Sequence, residues 1–181
     1  MPIPRLEYHD LPEEVRVALA EKFERLGYLG EFFQVAAHQP TALARFVEFT
    51  EEVNRALSDD LSQIVALTVA VATENVYERN QHERLALKQG FTLEWLRDVE
   101  RLEPNESSEL DARQRAVQTL VLSMVSTLGR HSSADIEAVE RHLDVKEVVA
   151  VLLSACRYVG HTAVVRTLGI GPPVSSPLWD N

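Results

Sequence analysis

One apolar segment restricts the folds open to this chain more than any other feature of its sequence. From Asp60 to Glu74 the residues are apolar on nearly all sides of a helix, and Ile64 to Ala72 is uninterrupted. Such a helix has to be enclosed by other helices or by another subunit. Its β-branched residues also suit a buried strand, but its length and the lack of a partner strand elsewhere favour a helix.

The remaining segments also have helical periodicity, and glycine and proline occur mainly at junctions, so we predict an all-α protein. Thr41 and Thr92 are expected N-caps, and Gly27 and Gly90 are expected to end helices. The predicted helices span about Pro12 to Leu26, Glu31 to Ala37, Thr41 to Leu57, Asp60 to Glu74, Val76 to Gln89, Thr92 to Leu102, Asp111 to Leu128, a short stretch ending at Leu143, and Lys146 to Leu168.

Length and composition predict a single domain over residues 1–170. The chain has 181 residues and 45% hydrophobic content, enough to fill one core. A polar linker at 103–108 separates halves 1–103 and 107–170. Residues 62–70 and 146–154 share an apolar pattern, which fits either two related helical units or two unrelated core helices. The tail 171–181 contains three prolines and is expected to be an arm or disordered.

The charge balance favours a small molecule or another protein chain as the partner. A formal charge of −10, from 28 acidic and 18 basic residues, disfavours nucleic acid and an anionic membrane. Cys156 is the only cysteine, so the sequence predicts no disulfide framework and fits a reducing cytoplasm. The N-terminus lacks the apolar core of a signal peptide, and we expect a soluble, unexported protein.

The segment after the apolar helix, residues 74–82, carries the side chains most capable of chemistry. If it is helical, Glu74, Glu78 and His82 fall at i, i+4 and i+8 on one face. A partly shielded carboxylate beside an imidazole is a common arrangement for general acid/base catalysis. The alternative is an ordinary Glu/His ladder on a solvated helix face.

These residues resemble the carboxymuconolactone decarboxylase family, which includes the alkylhydroperoxidase D-like proteins. The resemblance implies an alkylhydroperoxidase D-like helical bundle and a homo-oligomer, whether dimer, trimer or hexamer. It is carried by residues 61–67, 73–82, 85–86 and Gly90, and more weakly by residues 11–13 and 168–170.

The peroxidase branch of that family has an upstream glutamate followed by Cys-x-x-Cys-x-x-x-His. On this sequence, Asn75 and Glu78 take the cysteine positions, Gln63 takes that of the glutamate, and only His82 is retained. A thiol peroxidase needs one thiolate to attack the peroxide and a second to resolve the sulfenic acid, so dithiol peroxidase activity is disfavoured. Cys156, on an apolar helix, is expected to be a small core residue.

The decarboxylase branch fits better, because its members lack the cysteine pair and often have Tyr-Glu-x-x-x-His. The resemblance therefore implies a lyase that uses no metal or organic cofactor on a small carbonyl or lactone acid. It implies His82 as the general acid/base, Glu78 as the residue that orients or charges it, and Tyr77 as a hydrogen-bond donor to substrate.

Four further residues are candidates for substrate binding. Arg79 could bind a substrate carboxylate, or it could pair with Glu83 one turn along. The others are Glu74, Asn75 and Gln63. We expect no metal site, because no Glu-x-x-His on a second helix completes a carboxylate-bridged centre.

A second hypothesis comes from a different class of protein. The chain could be a catalytically silent scaffold or small-molecule binding protein that kept the fold after losing the cysteines and the upstream glutamate. Three other histidines are expected to be ordinary surface or core residues: His38, His142 and His161. His131, in a polar turn after Arg130, could face a pocket or water.

Overall fold

The computed structural model describes residues 3–178, and every regular element in that range is helical, as predicted. A 3₁₀ turn at Tyr8–Asp10 comes before the first long helix. The α-helices are α1 (Glu13–Leu26), α2 (Glu31–Ala36), α3 (Pro40–Arg55), α4 (Asp59–Ala72), α5 (Val76–Lys88), α6 (Leu93–Glu100), α7 (Ala112–Thr127), α8 (Ser133–Glu140) and α9 (Val145–Leu168).

The described chain forms two compact units, residues 3–52 and 53–178, and the division falls inside α3. In the first unit, the rings of Tyr8 and Phe23 stack with their centroids 3.9 Å apart. The linker at 103–108 lies within the second unit rather than at this division. The predicted extent of the domain and its two halves therefore stay predictions.

Helix α4 is the centre of the second unit. It packs against α5, α6, α7 and α9, and its Leu61, Ile64 and Leu67 are fully buried. An all-round apolar helix avoids water on every side, so the surrounding helices have to cover it. The structure confirms the prediction that other helices enclose this apolar helix.

Side chains begin several of these helices. Asp111 and Asp144 each form a capping box with the residue three positions later, and Thr92 accepts the N–H of Trp95 at 3.0 Å. The expectation that Thr41 is an N-cap is wrong, because α3 begins one residue earlier at Pro40. Proline suits a first helical position, where its missing N–H leaves no hydrogen bond unmade.

Helix α9 has one buried face and one exposed apolar face. By length and composition alone α9 is apolar enough to cross a membrane, but half of its most apolar window is buried in the fold, as in many core helices. Its exposed positions include Val149, Leu153 and Val164. Cys156 is also exposed, so the expectation that it is a core residue is wrong. The apolar pattern of α9 continues onto the face that this unit leaves uncovered.

The described part of the tail is a strap bound to α5. Asn80 Nδ2 donates to the carbonyl of Val174 at 2.8 Å, and Arg84 Nε donates to the carbonyl of Ser175 at 2.7 Å. The hydroxyl of Ser176 donates to the carboxylate of Glu83. Residues 171–178 therefore form an arm, which was one of the two alternatives for the tail. Residues 179–181 lie outside the described chain.

Candidate active site

The turn between α4 and α5 decides which predicted residues can meet. Asn75 caps α5 by accepting the N–H of Glu78 at 3.2 Å, and its Nδ2 donates to Thr162 Oγ1 on α9 at 2.8 Å. Glu74 therefore lies outside the helix, with a φ of 54°, and is exposed. Its carboxylate is 3.6 Å from Arg166. The predicted column is wrong in its first member, because the Asn75 cap starts the helix after Glu74.

His82 is held from both ring nitrogens. Its Nδ1 is 2.8 Å from Gln63 Oε1 on α4, and its Nε2 is 2.9 Å from the hydroxyl of Tyr158 on α9. Because the amide oxygen of Gln63 faces Nδ1, that nitrogen carries the proton in the neutral imidazole. The nitrogen free to exchange a proton is therefore Nε2, which faces Tyr158 and Glu78.

Glu78 lies between two imidazoles. Its Oε2 is 3.2 Å from His82 Nε2, and its Oε1 is 3.2 Å from Nδ1 of His161. Burial by itself would raise the pKa of Glu78, but His161, then His82, and the charge of Arg157 hold that pKa well below its usual range. The predicted pair is therefore an ionised carboxylate with an imidazole on each oxygen.

Two members of this site, Tyr158 and His161, were not found as candidates from the sequence. His161, expected to be an ordinary surface or core histidine, is buried, and it contacts Glu78. The signal that could have found both is a polar stripe along the apolar helix α9. Polar residues recur there at i, i+4, i+7 and i+8, which is one helix face: Ser154, Tyr158, His161 and Thr162.

Two other predicted residues lie beside this cluster. The ring of Tyr77 is buried, and its centroid lies 6.0 Å from that of the His161 ring. The tyrosine hydroxyl that contacts His82 belongs to Tyr158. Arg79 binds both carboxylate oxygens of Glu100, at 3.2 and 2.6 Å, and its Nε is 2.9 Å from Glu83. Its pairing with Glu83 was one of the alternatives left open by the sequence.

The arrangement can perform proton transfer at one nitrogen. Glu78 stabilises an imidazolium at His82, Gln63 fixes the ring orientation, and Tyr158 places a hydroxyl at the exchanging nitrogen. The side chains of His82 and Glu78 are 16% and 12% exposed, against 4% for that of His161, so solvent reaches both the imidazole of His82 and the carboxylate of Glu78.

Part of the site lies in a segment that matches a known protein family. The model of the carboxymuconolactone decarboxylase family matches residues 40–103, which include α4, α5 and three of the site residues. This match places residues 40–103 in the carboxymuconolactone decarboxylase family. No curated protein matches the chain.

Solved structures show that the chain has an alkylhydroperoxidase D-like fold. A peroxidase-related protein from Ralstonia eutropha, described as an alkylhydroperoxidase AhpD core, is 19% identical with a TM-score of 0.78, over 95% of this chain and 90% of that one. A peroxidase-related protein from a Silicibacter species is 15% identical with a TM-score of 0.79, covering 96% and 91%. The debrominase Bmp8, solved as a cysteine-to-alanine variant with 2,3,4-tribromopyrrole, is 9% identical with a TM-score of 0.81, covering 94% and 91%.

The residues that replace the second cysteine and the upstream glutamate of the family motif both contact His82. Gln63, in the position of the upstream glutamate, contacts His82 Nδ1 but cannot take up a proton. Glu78, in the second cysteine position, places a carboxylate against the other ring nitrogen.

Proposed function

We propose that this protein is a cofactor-free acid/base enzyme, a decarboxylase or a lyase of lactone or carbonyl acids, acting on a small molecule. The observation that carries the proposal is the contact of His82 Nε2 with both Glu78 and the hydroxyl of Tyr158. An imidazole with a buried carboxylate partner is suited to hold a proton and return it to carbon.

Decarboxylation of a β-keto acid illustrates the step. The bond between the carboxylate carbon and the α-carbon breaks, its electron pair forms an enolate on the carbonyl oxygen, and carbon dioxide leaves. The imidazolium of His82 then delivers its Nε2 proton to the α-carbon, and solvent restores that proton. Glu78 stabilises the charged ring before the transfer, and Tyr158 or Tyr77 supplies a hydroxyl to the enolate oxygen.

A thiol peroxidase is a poorer fit to this chain. Its single cysteine, Cys156, lies on the exposed face of α9 with no second thiol to resolve a sulfenic acid. Asn75 and Glu78, in the motif's cysteine positions, are a helix cap and an ionised acid.

The proposal is tested with β-keto and lactone acids in deuterated water, because an acid/base site incorporates deuterium at the carbon it protonates. We expect NMR to detect deuterated product with the wild type and none above background with His82→Gln. Equal incorporation by both proteins, at matched circular dichroism, contradicts the assignment of His82. Gln81→Glu, one residue away and outside the cluster, controls for a general change at α5.

A non-catalytic binding protein is the second candidate. Gln63 supports it, because an amide at this position ends the chain of groups that can carry a proton away from Nδ1. This candidate predicts binding of small molecules without deuterium incorporation in the experiment above.

We also propose that the protein is a homo-oligomer. The exposed apolar face of α9, with Val149, Leu153 and Val164, is the surface that supports it. Light scattering at micromolar concentration tests the proposal, and a monomer contradicts it. Leu153→Lys, in the middle of that face, is then expected to dissociate the assembly.

A further inference from the structure

Arg157 lies beside the candidate site and is poorly satisfied by the protein. Its guanidinium carbon is 3.5 Å from the centroid of the Tyr158 ring. Its Nε is buried and has no hydrogen-bond partner among residues 3–178. A buried donor that lacks an acceptor costs about 1–3 kcal/mol, and more when it is charged. A protein keeps such a group most readily where a ligand supplies the acceptor.

Other arginines of the second unit differ in this respect. Arg79 is paired with Glu100, Arg113 donates to Asp60 at 2.5 Å, and Arg166 donates to the carbonyl of Thr73 at 2.6 Å. Each therefore has a strong acceptor within the fold. Arg157 has instead an aromatic face and a charge attraction to Glu78, and neither gives its Nε a hydrogen-bond acceptor.

The stacking leaves the guanidinium prepared for an anion. A planar guanidinium lying on a ring still presents its N–H donors in its own plane, and that fork matches the two oxygens of a carboxylate. Because the ring holds the side chain in place, less conformational freedom is lost when an anion binds.

The Tyr158 ring also connects Arg157 to the reacting groups. The imidazole of His82 meets the same ring edge-on, with the centroids 5.3 Å apart, and bonds its hydroxyl at 2.9 Å. A small molecule held by the guanidinium therefore lies next to the ring that carries the catalytic hydroxyl.

We infer that Arg157 binds the carboxylate of the substrate, so that the site selects small organic anions over neutral molecules of the same shape. The inference rests on the proposed function, and it names the residue that determines specificity. Arg79, the arginine offered by the sequence for this role, has its guanidinium engaged by Glu83 and Glu100. Glu78 contributes an opposing negative charge, which His82 and His161 offset from its two oxygens.

Acetoacetate and acetoacetamide test the inference, because they have nearly the same size and differ in charge. The protein is labelled in its histidines, and the resonances of His82, assigned with His82→Gln, are followed by NMR during titration at constant ionic strength. We expect acetoacetate to shift them saturably and acetoacetamide to leave them unmoved. We expect Arg157→Gln to weaken acetoacetate binding about tenfold or more, the usual result of losing a charged hydrogen-bond pair.

Matched variants separate binding from folding. Arg166→Gln removes a positive charge from the same helix and is expected to bind acetoacetate like the wild type. If Arg157→Gln does not fold, Arg157→Lys decides, because lysine keeps the charge but loses the fork, and we expect binding weakened several-fold. Unchanged affinity in the Arg157 variants, equal shifts by both probes, or no shift in the wild type overturns the inference.

The outcome for Arg157 is independent of the outcome for the reaction. With His82→Gln, anion binding read at His161 is expected to persist while deuterium incorporation is lost. If deuterium incorporation depends on His82 but the protein does not bind anions selectively, the proposed function stands and the inference about Arg157 is wrong. If the protein binds anions selectively but incorporates no deuterium, the role of Arg157 in anion binding stands and the proposed reaction is wrong.

Discussion

Glu78 and Glu83 are both buried on α5, little more than one turn apart, yet their environments are opposite. Glu78 lies between the imidazoles of His82 and His161, and its pKa is held well below the usual range. Burial and the neighbouring carboxylate of Glu100 raise the pKa of Glu83 to about 7, although Ser176 and Arg79 act against them.

The difference shows that burial alone does not decide the charge of a carboxyl group. Burial disfavours ionisation in both residues, so the sign of the pKa shift depends on the neighbouring groups. At Glu78 the two imidazoles and Arg157 outweigh burial, whereas at Glu83 the carboxylate of Glu100 adds to burial and Arg79 and Ser176 do not overcome the two. Glu78 is therefore ready to stabilise a cation across the neutral pH range. Glu83 gains or loses its proton within that range, at the point where the strap meets α5.

The largest effect is expected from neutralising Glu78. Glu78→Gln keeps the volume and hydrogen-bonding capacity but removes the charge that stabilises an imidazolium at His82, so we expect turnover to fall about 10²-fold or more. Glu83→Gln, the same substitution on the same helix, is the control and is expected to keep most of the activity. Equal losses measured in both variants by steady-state kinetics would mean that the helix, rather than the charge of Glu78, limits the rate.

A second test removes the cation from the Glu83 environment. Arg79→Met leaves Glu83 and Glu100 without the guanidinium that both contact, and we expect the free energy of unfolding at pH 8 to fall by about 3 kcal/mol. Arg101→Met is the control, because its ion pair with Asp98 is largely exposed on the arginine side and is expected to contribute about 0–1 kcal/mol. Urea unfolding measures the loss of unfolding free energy in both variants. Similar losses would show that the ion pairs of Arg79 stabilise the fold no more than an exposed ion pair does.

Much of the fold was predictable because its helices obey local rules. Apolar periodicity located α4 and α9, and glycine, threonine and aspartate marked most helix ends to within a few residues. The deviations have local causes. Asn75 caps α5 and excludes Glu74 from it, and the apolar pattern of α9 does not distinguish its buried face from its exposed one, so Cys156 was misplaced.

The site was only half predictable, because it is assembled from three helices. Glu78 and His82 lie one turn apart on α5 and were found from spacing, whereas Tyr158 and His161 reach them from a helix more than seventy positions further along the chain. Contacts of that separation depend on how helices pack, which spacing within one segment does not report. Family resemblance supplied Gln63, but not the side of the ring that it bonds.

The titration of Glu83 gives a pH dependence with a definite sign. Because its folded pKa is raised from 4.5 to about 7, the folded protein holds a proton that the unfolded chain has released between those values, so this group lowers stability as pH rises through that window. Glu78 is ionised in both states there, and its contribution is lost only as pH falls below its unfolded pKa. From pH 5 to pH 7, we expect the free energy of unfolding of Glu83→Gln to gain about 2 kcal/mol relative to that of the wild type in urea unfolding. An unchanged difference across that range would place the pKa of Glu83 in the ordinary range.

The smallest effect concerns the strap. The hydroxyl of Ser176 donates to Glu83 and accepts the N–H of Leu178 at 3.2 Å. Ser176→Ala is therefore expected to lower the free energy that holds residues 171–178 in place by about 1 kcal/mol, the net contribution of one hydrogen bond. Hydrogen exchange of the tail peptide should then be several-fold faster. Since the Ser176 hydrogen bond lowers the pKa of Glu83, its removal should also extend the pH window of falling stability upward. Ser175→Ala is the control, because it removes a strap hydroxyl that accepts from Arg84 but leaves the Ser176 hydrogen bond to Glu83 in place, and it should leave that window unchanged. If stability falls over the same pH window in both variants, the strap has no influence on the ionisation of Glu83.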